Sequence, residues 1–407
     1  MGSKIVLMSV LPLLLALWIH LLNDFRPLDV YFPPTERNPA IDDHFSETYY
    51  QARALFRQRA KDAGAQLHAL PLEHLAHLDL TVDVAVIPGA LDRVLLHVSG
   101  THGVEGFTGS AIQSRILQDA RNASINNGPT VVLVHALNPY GFSQLRRANE
   151  NNVDINRNWL SAEEFAREKA TDANVNGYAD IYEALNPPVE SAWMFGKTVY
   201  TVFANGFANF KKAYVAGTYH FSEGVLFGGF EKQPSLVLIE EFLNNLLDFT
   251  KVKSIAVIDV HTGLGPAGID TLILMPGCNQ TIAEDVFAQE KLEGNVSPML
   301  EGADNEVTDG YGAAKGFIAS GLAHMVPVQA RAKVLAIGQE FGTIGPLFVI
   351  KAVTAENAVY HQAPERRLPY AERLRDAFYV HQSASWRQNI IVRGVRAYEQ
   401  LHAFLSI

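Results

Sequence analysis

Apolar residues in this chain come in short unbroken runs, and polar clusters follow them. Arg93-Val94-Leu95-Leu96-His97-Val98 precedes Ser99-Gly100-Thr101-His102-Gly103-Val104-Glu105-Gly106. Thr130-Val131-Val132-Leu133-Val134-His135 comes shortly before the polar segment from Arg147 to Trp159, which contains Asp154-Ile155-Asn156-Arg157. Ile255-Ala256-Val257-Ile258-Asp259-Val260 ends in His261-Thr262-Gly263, and the run from Ala332 to Gln339 leads into Glu340-Phe341-Gly342-Thr343. Each run has the length and content of a buried strand. A largely parallel α/β sheet would carry all four polar clusters to its carboxyl edge, where such folds build their sites. In the tail, Arg366, Leu368, Tyr370, Leu374, Phe378 and Val380 have helix-compatible spacing, with an end expected near Gly394.

The clusters carry specific chemistry. An imidazole and a carboxylate three residues apart on a loop, as at His102 and Glu105, can hold two coordination positions of one zinc ion and leave others open for water and substrate. A guanidinium such as Arg157 offers a planar fork matched to a carboxylate. Asp259, two residues before His261, is either a partner for that histidine or a buried structural hydrogen-bond acceptor. Blander readings exist for each alone: a solvated turn for His102 and Glu105, a cap or salt-bridge partner for Glu340, a polar surface turn for Asn156 and Arg157. Four such clusters, all placed after apolar runs, weigh against coincidence. His97 and His135 read as core histidines. The loop holding His220 and Glu223 either overhangs the cleft or forms a capped turn.

The order and spacing of these phrases resemble the zinc carboxypeptidase superfamily, which also contains the aspartoacylase and succinylglutamate desuccinylase deacylases. The resemblance runs from about Phe45 to the C-terminus. His-Gly-Val-Glu-Gly-Phe and Glu-Phe-Gly-Thr look closest to a poorly characterised carboxypeptidase-like branch. It implies a single three-layer α/β/α domain with a mixed, largely parallel central sheet. It also implies one Zn2+ on His102, Glu105 and His261, with Glu340 as general base. Arg147, or its neighbour Arg146, would polarise the scissile carbonyl, and Asn156 and Arg157 would grip the substrate's free carboxylate. The family's mobile tyrosine is not placed, although Tyr311 and Tyr360 lie in the broad region for it. The implied activity is hydrolysis of an amide or peptide bond next to a free carboxylate. The alternatives are deacylation of an N-acyl amino acid and a non-catalytic, zinc-holding binding module. The β-rich C-terminal domain of the aspartoacylase branch is not evident in the tail.

Composition narrows the picture further. With 407 residues, 48% of them hydrophobic, the chain can bury a large core. No linker, charge run or repeat divides it, and motifs from 102 to 343 must converge, so residues 43–407 are expected to form one domain. A net charge of −10 without a basic stripe argues against nucleic acid. The arginines 146, 147 and 157 would instead draw a small anionic ligand, which the family resemblance makes a small peptide or N-acyl amino acid with a free carboxylate. Cys278 is the only cysteine, so a metal here takes nitrogen and oxygen ligands. Residues 1–42 read as a hydrophobic segment and linker. Ile5 to Leu22 is almost wholly apolar, and no small-x-small cleavage site follows it. An uncleaved signal anchor on a membrane-anchored or secretory-pathway protein is expected, with a cytoplasmic location as the alternative.

Overall fold

The computed structural model describes residues 38–120, 128–189, 194–287, 299–300, 311–330 and 333–406. Eight strands form one sheet: β1 Gln66–Pro71, β2 Thr81–Ile87, β3 Ala90–Val98, β4 Pro129–His135, β5 Ser254–Ala267, β6 Asp270–Leu274, β7 Met299–Leu300 and β8 Lys333–Gly342. Their order is β1-β2-β4-β3-β5-β8-β6-β7. The central β4, β3, β5 and β8 run parallel, while β1 with β2, β2 with β4, and β6 with β8 pair antiparallel. The sheet is therefore mixed, with a parallel middle.

Alternation along the strands builds two cores. Leu95, Leu133, Ala256, Ile258, Leu335 and Ile337 pack on one face with Phe56, Ile112, Ile390 and Leu401 from the helices Tyr49–Asp62, Gly106–Ala120 and Ala384–Ser406. Leu96, Val132, Val134, Val257 and Ala336 pack on the other with Leu236, Ile239, Ile318 and Leu322 from Pro234–Leu246 and Ile318–His324. Helices on both faces of a strand set that is apolar on both sides give the α/β/α layering that the uninterrupted runs anticipate.

Three boundaries differ from expectation. β5 and β8 continue through His261 and Glu340, so these residues lie on paired strands and face each other in register. Gly263, at φ +141°, lets β5 run on through a register shift opposite Gly342. The last helix does not stop near Gly394 but continues to Ser406. A Cβ at Gly394 would lie 2.4 Å from Ile112 Cδ1, so this glycine serves close helix packing rather than termination. The first described helix is Pro39–Asp42, and Arg387 Nε donates to Asp42 Oδ1 at 2.6 Å.

The segment Ile5 to Leu22, expected as an anchor, lies outside the described residues. Among the described residues no helix is long and apolar enough to cross a membrane. Beyond β8 the described chain is helical, without a further strand.

Candidate active site

β3 ends at Val98, and Gly100, at φ +68°, turns the chain so that His102 and Glu105 stand above the sheet edge. This loop is clamped to the arginine segment through backbone. Gly103 N–H donates to Arg147 O at 3.2 Å, and Val104 N–H to Arg146 O at 3.0 Å. A Cβ on Gly103 would come within 1.9 Å of Gly141 C, which explains the glycine between the histidine and the acid.

His102 Nδ1 lies 2.8 Å from Glu105 Oε1, and His261 Nδ1 lies 3.1 Å from Glu105 Oε2 and 3.2 Å from His102 Nδ1. All three residues are buried. Each far ring nitrogen meets an acid: His102 Nε2 is 3.0 Å from Asp154 Oδ1, and His261 Nε2 is 2.9 Å from Asp259 Oδ2. An ionised carboxylate only accepts, so each Nε2 carries its proton and each Nδ1 lone pair is turned inward. Two lone pairs and a carboxylate then converge, a donor set that fits zinc and that a cation would stabilise.

Burial opposes ionisation of Glu105, but the two imidazoles outweigh it and hold the carboxyl below its usual range. Burial likewise opposes charge on Asp154, while Arg147 and His102 drive its pKa well down. Burial works against a charged His261, but Asp259 and Glu105 raise it well above 6.5. Glu340 goes the other way: burial, then the Glu105 charge, pushes it up to about 7. Its Oε1 accepts from Leu264 N–H at 2.9 Å, which leaves Oε2 for other work.

The two adjacent arginines part company. Leu145, at φ +53°, precedes them in a strained turn. Arg147 donates to Asp154 Oδ2, lies 4.0 Å from Glu105 and lines the cavity at this site. Arg146 does not reach that cavity. It pairs with Glu356 at 3.1 Å, bonds Asn152 at 2.9 Å and stacks 3.3 Å from the Tyr360 ring centre.

Asn156 and Arg157 both line the cavity. Asn156 Oδ1 accepts from Ile318 N–H at 3.0 Å, and its Nδ2 stands 3.4 Å from His261 Nε2. Arg157 donates from Nε and Nη2 to Val215 O at 3.0 and 2.7 Å, and from Nη1 to Asn156 O at 2.9 Å. Val215 belongs to the last turn of helix Phe207–Ala216, so its carbonyl is one the helix cannot satisfy itself. A guanidinium has five N–H groups; one on each terminal nitrogen of Arg157 is left over.

Other residues come in that the sequence did not single out. Asp154 orients a histidine and an arginine at once; its place in Asp-x-Asn-Arg was the available signal. Thr101 Oγ1 donates to Asp259 Oδ1 at 2.7 Å. Tyr214 lines the cavity and burial pushes its hydroxyl up to about 12. Nothing in its helical run marked it. Tyr360 instead bonds Tyr140 at 3.2 Å away from the cavity, and the Tyr311 side chain lies outside the described residues. His220 turns to Thr171 O at 3.0 Å and neither it nor Glu223 lines the cavity, but the same loop delivers Leu226 to its wall.

The cavity holds about 540 Å³. The layered sheet, with the site at its strand ends, is an α/β/α fold. The chain belongs to the family described as "Protein of unknown function (DUF2817)", whose pattern matches residues 45–393. Among solved structures it is similar to bovine thrombin-activatable fibrinolysis inhibitor in complex with tick carboxypeptidase inhibitor, at 10% identity over 87% of this chain and 97% of that one, TM-score 0.46. It is also similar to carboxypeptidase A from Helicoverpa armigera, at 12% identity over 81% and 74%, TM-score 0.42. No curated protein matches the sequence.

Proposed function

We propose that this protein is a zinc-dependent hydrolase that cleaves an amide or peptide bond next to a free carboxylate. The observation that carries the reading is the convergence of His102 Nδ1, His261 Nδ1 and Glu105, with Glu340 in register beside His261. What one zinc ion supplies when bound by these three residues is Lewis acidity, which lowers the pKa of a coordinated water from about 15.7 towards 7.

The chain's own groups divide the remaining work. Glu340, with Oε1 fixed by Leu264 N–H, accepts a water proton on Oε2 and returns it to the leaving amine. Burial, the larger cause of its raised pKa, brings the carboxyl nearer to the behaviour of a group that takes and gives a proton near neutrality. Arg147, oriented by Asp154, faces the oxygen that gains charge. Arg157, fixed by Val215 O, presents its two remaining N–H groups to the substrate carboxylate. Asn156 ties the start of helix Ile318–His324 to that corner.

A second reading, deacylation of an N-acyl amino acid, uses the same residues in the same cavity. A binding module that holds zinc without turnover would have no use for Glu340 in its present place. The experiment is elemental analysis of purified protein, coupled to a hydrolysis screen of peptides and N-acyl amino acids before and after chelation. About one zinc per chain with chelator-sensitive hydrolysis is expected. Protein that stays metal-free after incubation with zinc would sink the reading; bound zinc with no hydrolysis would favour the binding module.

A further inference from the structure

The two acids behind His102 and His261 are not held alike. Asp154 takes the Asn156 N–H on Oδ1 at 3.0 Å and the Arg147 guanidinium on Oδ2. Asp259 has neither kind of support. Its Oδ2 faces His261 Nε2 at 2.9 Å, and among the described residues the one other group bonded to its carboxylate is the Thr101 hydroxyl, which donates to Oδ1 at 2.7 Å. Both residues are buried, Thr101 at 0% and Asp259 at 1% exposure. Loss of that hydroxyl would leave a buried carboxylate oxygen without its donor and the carboxylate free to turn about its last side-chain bond.

Thr101 also stands where the chain needs a link. The ladder between β3 and β5 ends at Val98 opposite Asp259, and Gly100, at φ +68°, then turns the chain away. The start of the loop is fixed by backbone on its other side, where Ser99 O and Gly100 O accept from Leu137 and Asn138 N–H at 3.0 and 2.8 Å. Towards β5 side chains take over: Thr101 Oγ1 bonds Asp259, and Glu105 Oε2 accepts from Thr262 N–H at 3.0 Å. These two bonds bracket His102 in the loop and His261 in the strand.

We infer that Thr101 is a positioning residue for the metal site. Through Asp259 it fixes the His261 ring, and it ties the loop that carries His102 and Glu105 to the strand that carries His261. The inference rests on the zinc reading of the site and deepens it.

The test is a chelator competition for zinc on the full chain, comparing wild type, Thr101→Val, Thr101→Ser, Asp259→Ala and the double variant Thr101→Val with Asp259→Ala. Thr101→Val should bind zinc about 10-fold more weakly, the low end for loss of a group behind a metal ligand, whereas Thr101→Ser keeps the hydroxyl and should bind within about twofold of wild type. Since Thr101 acts through Asp259, its loss should add little once that carboxylate is gone. Thr101→Ala removes the hydroxyl without setting a methyl beside the carboxylate, and it replaces Thr101→Val should that variant not fold. Zinc affinity unchanged in Thr101→Val, or effects that add in full in the double variant, would overturn the assignment while leaving the zinc reading intact. Wild type that takes up no zinc would remove that reading and the inference with it.

Discussion

Two pairs of histidines in this molecule lie in or just beyond the strands of one sheet at almost the same depth, yet differ in what touches them. His97 on β3 and His135 on β4 are 0% exposed; His102 and His261, at the carboxyl edge, are 4% and 6% exposed. The interior pair meets neutral partners, with Gln113 Nε2 3.2 Å from His97 Nδ1 and Ser110 Oγ 3.0 Å from His135 Nε2. Burial pushes both rings down to about 4, so they stay uncharged. The edge pair meets Asp154, Asp259 and Glu105. Depth is thus a poor guide to what a histidine does. An anion on the far ring nitrogen fixes the tautomer and turns the near lone pair inward, where it is free to meet a metal.

The sharpest way to test that contrast is to remove the edge acid assigned neither to a ring nor to the metal. Glu340→Gln should leave zinc bound and lower kcat by roughly two to four orders of magnitude, read by elemental analysis beside steady-state kinetics. Retained turnover would remove Glu340 as the base. Next comes the anion behind the ring. Asp259→Asn replaces an obligate acceptor with an amide and should weaken zinc binding about 10- to 100-fold in a chelator competition. An unchanged affinity would make His261 no more dependent on its acid than His97 is on Gln113. Smaller again is Arg157→Lys, where an ammonium cannot both hold Val215 O through two nitrogens and present a fork. Its Michaelis constant should rise severalfold for free-acid substrates and little for amidated ones. Equal effects on both would leave Arg157 as a cap on the helix Phe207–Ala216.

The same contrast marks what could be read in the sequence. Strand runs were legible because β-branched residues with apolar neighbours on both sides leave few other options. His102, Glu105, His261 and Glu340 stood out because polar groups directly after such runs have no packing reason to be there. Strand ends were less legible: Gly263 read as the end of a run, yet its free backbone lets β5 continue beyond His261, which already lies opposite Glu340. Gly394 misled in the same way, since a close helix contact and a helix end use the same residue. Leu226, Tyr214 and Thr101 were invisible. Each owes its place to tertiary contacts that no local spacing encodes.

The interior pair offers the finest test, because it concerns stability and leaves catalysis alone. His97 and His135 titrate near 6.5 when unfolded and at about 4 when folded. Between those values the unfolded chain binds more protons than the folded one. Stability therefore rises with pH across this window: the contribution is fully present above about 6.5 and is lost as pH falls towards 4. Together the two rings should account for uptake of up to about two protons on unfolding in that range. His135→Asn removes one of the titrating rings and should lower the acid-side slope of unfolding free energy against pH by up to about one proton, measured by denaturant unfolding of the zinc-loaded protein from pH 4 to 7. Unfolding also frees the zinc-bound histidines to take up protons, so the difference in slope between wild type and His135→Asn, and neither slope alone, reports the interior ring. An unchanged slope in His135→Asn would mean that the ring is charged or solvated in the fold, and the difference between the two pairs would then be one of position alone.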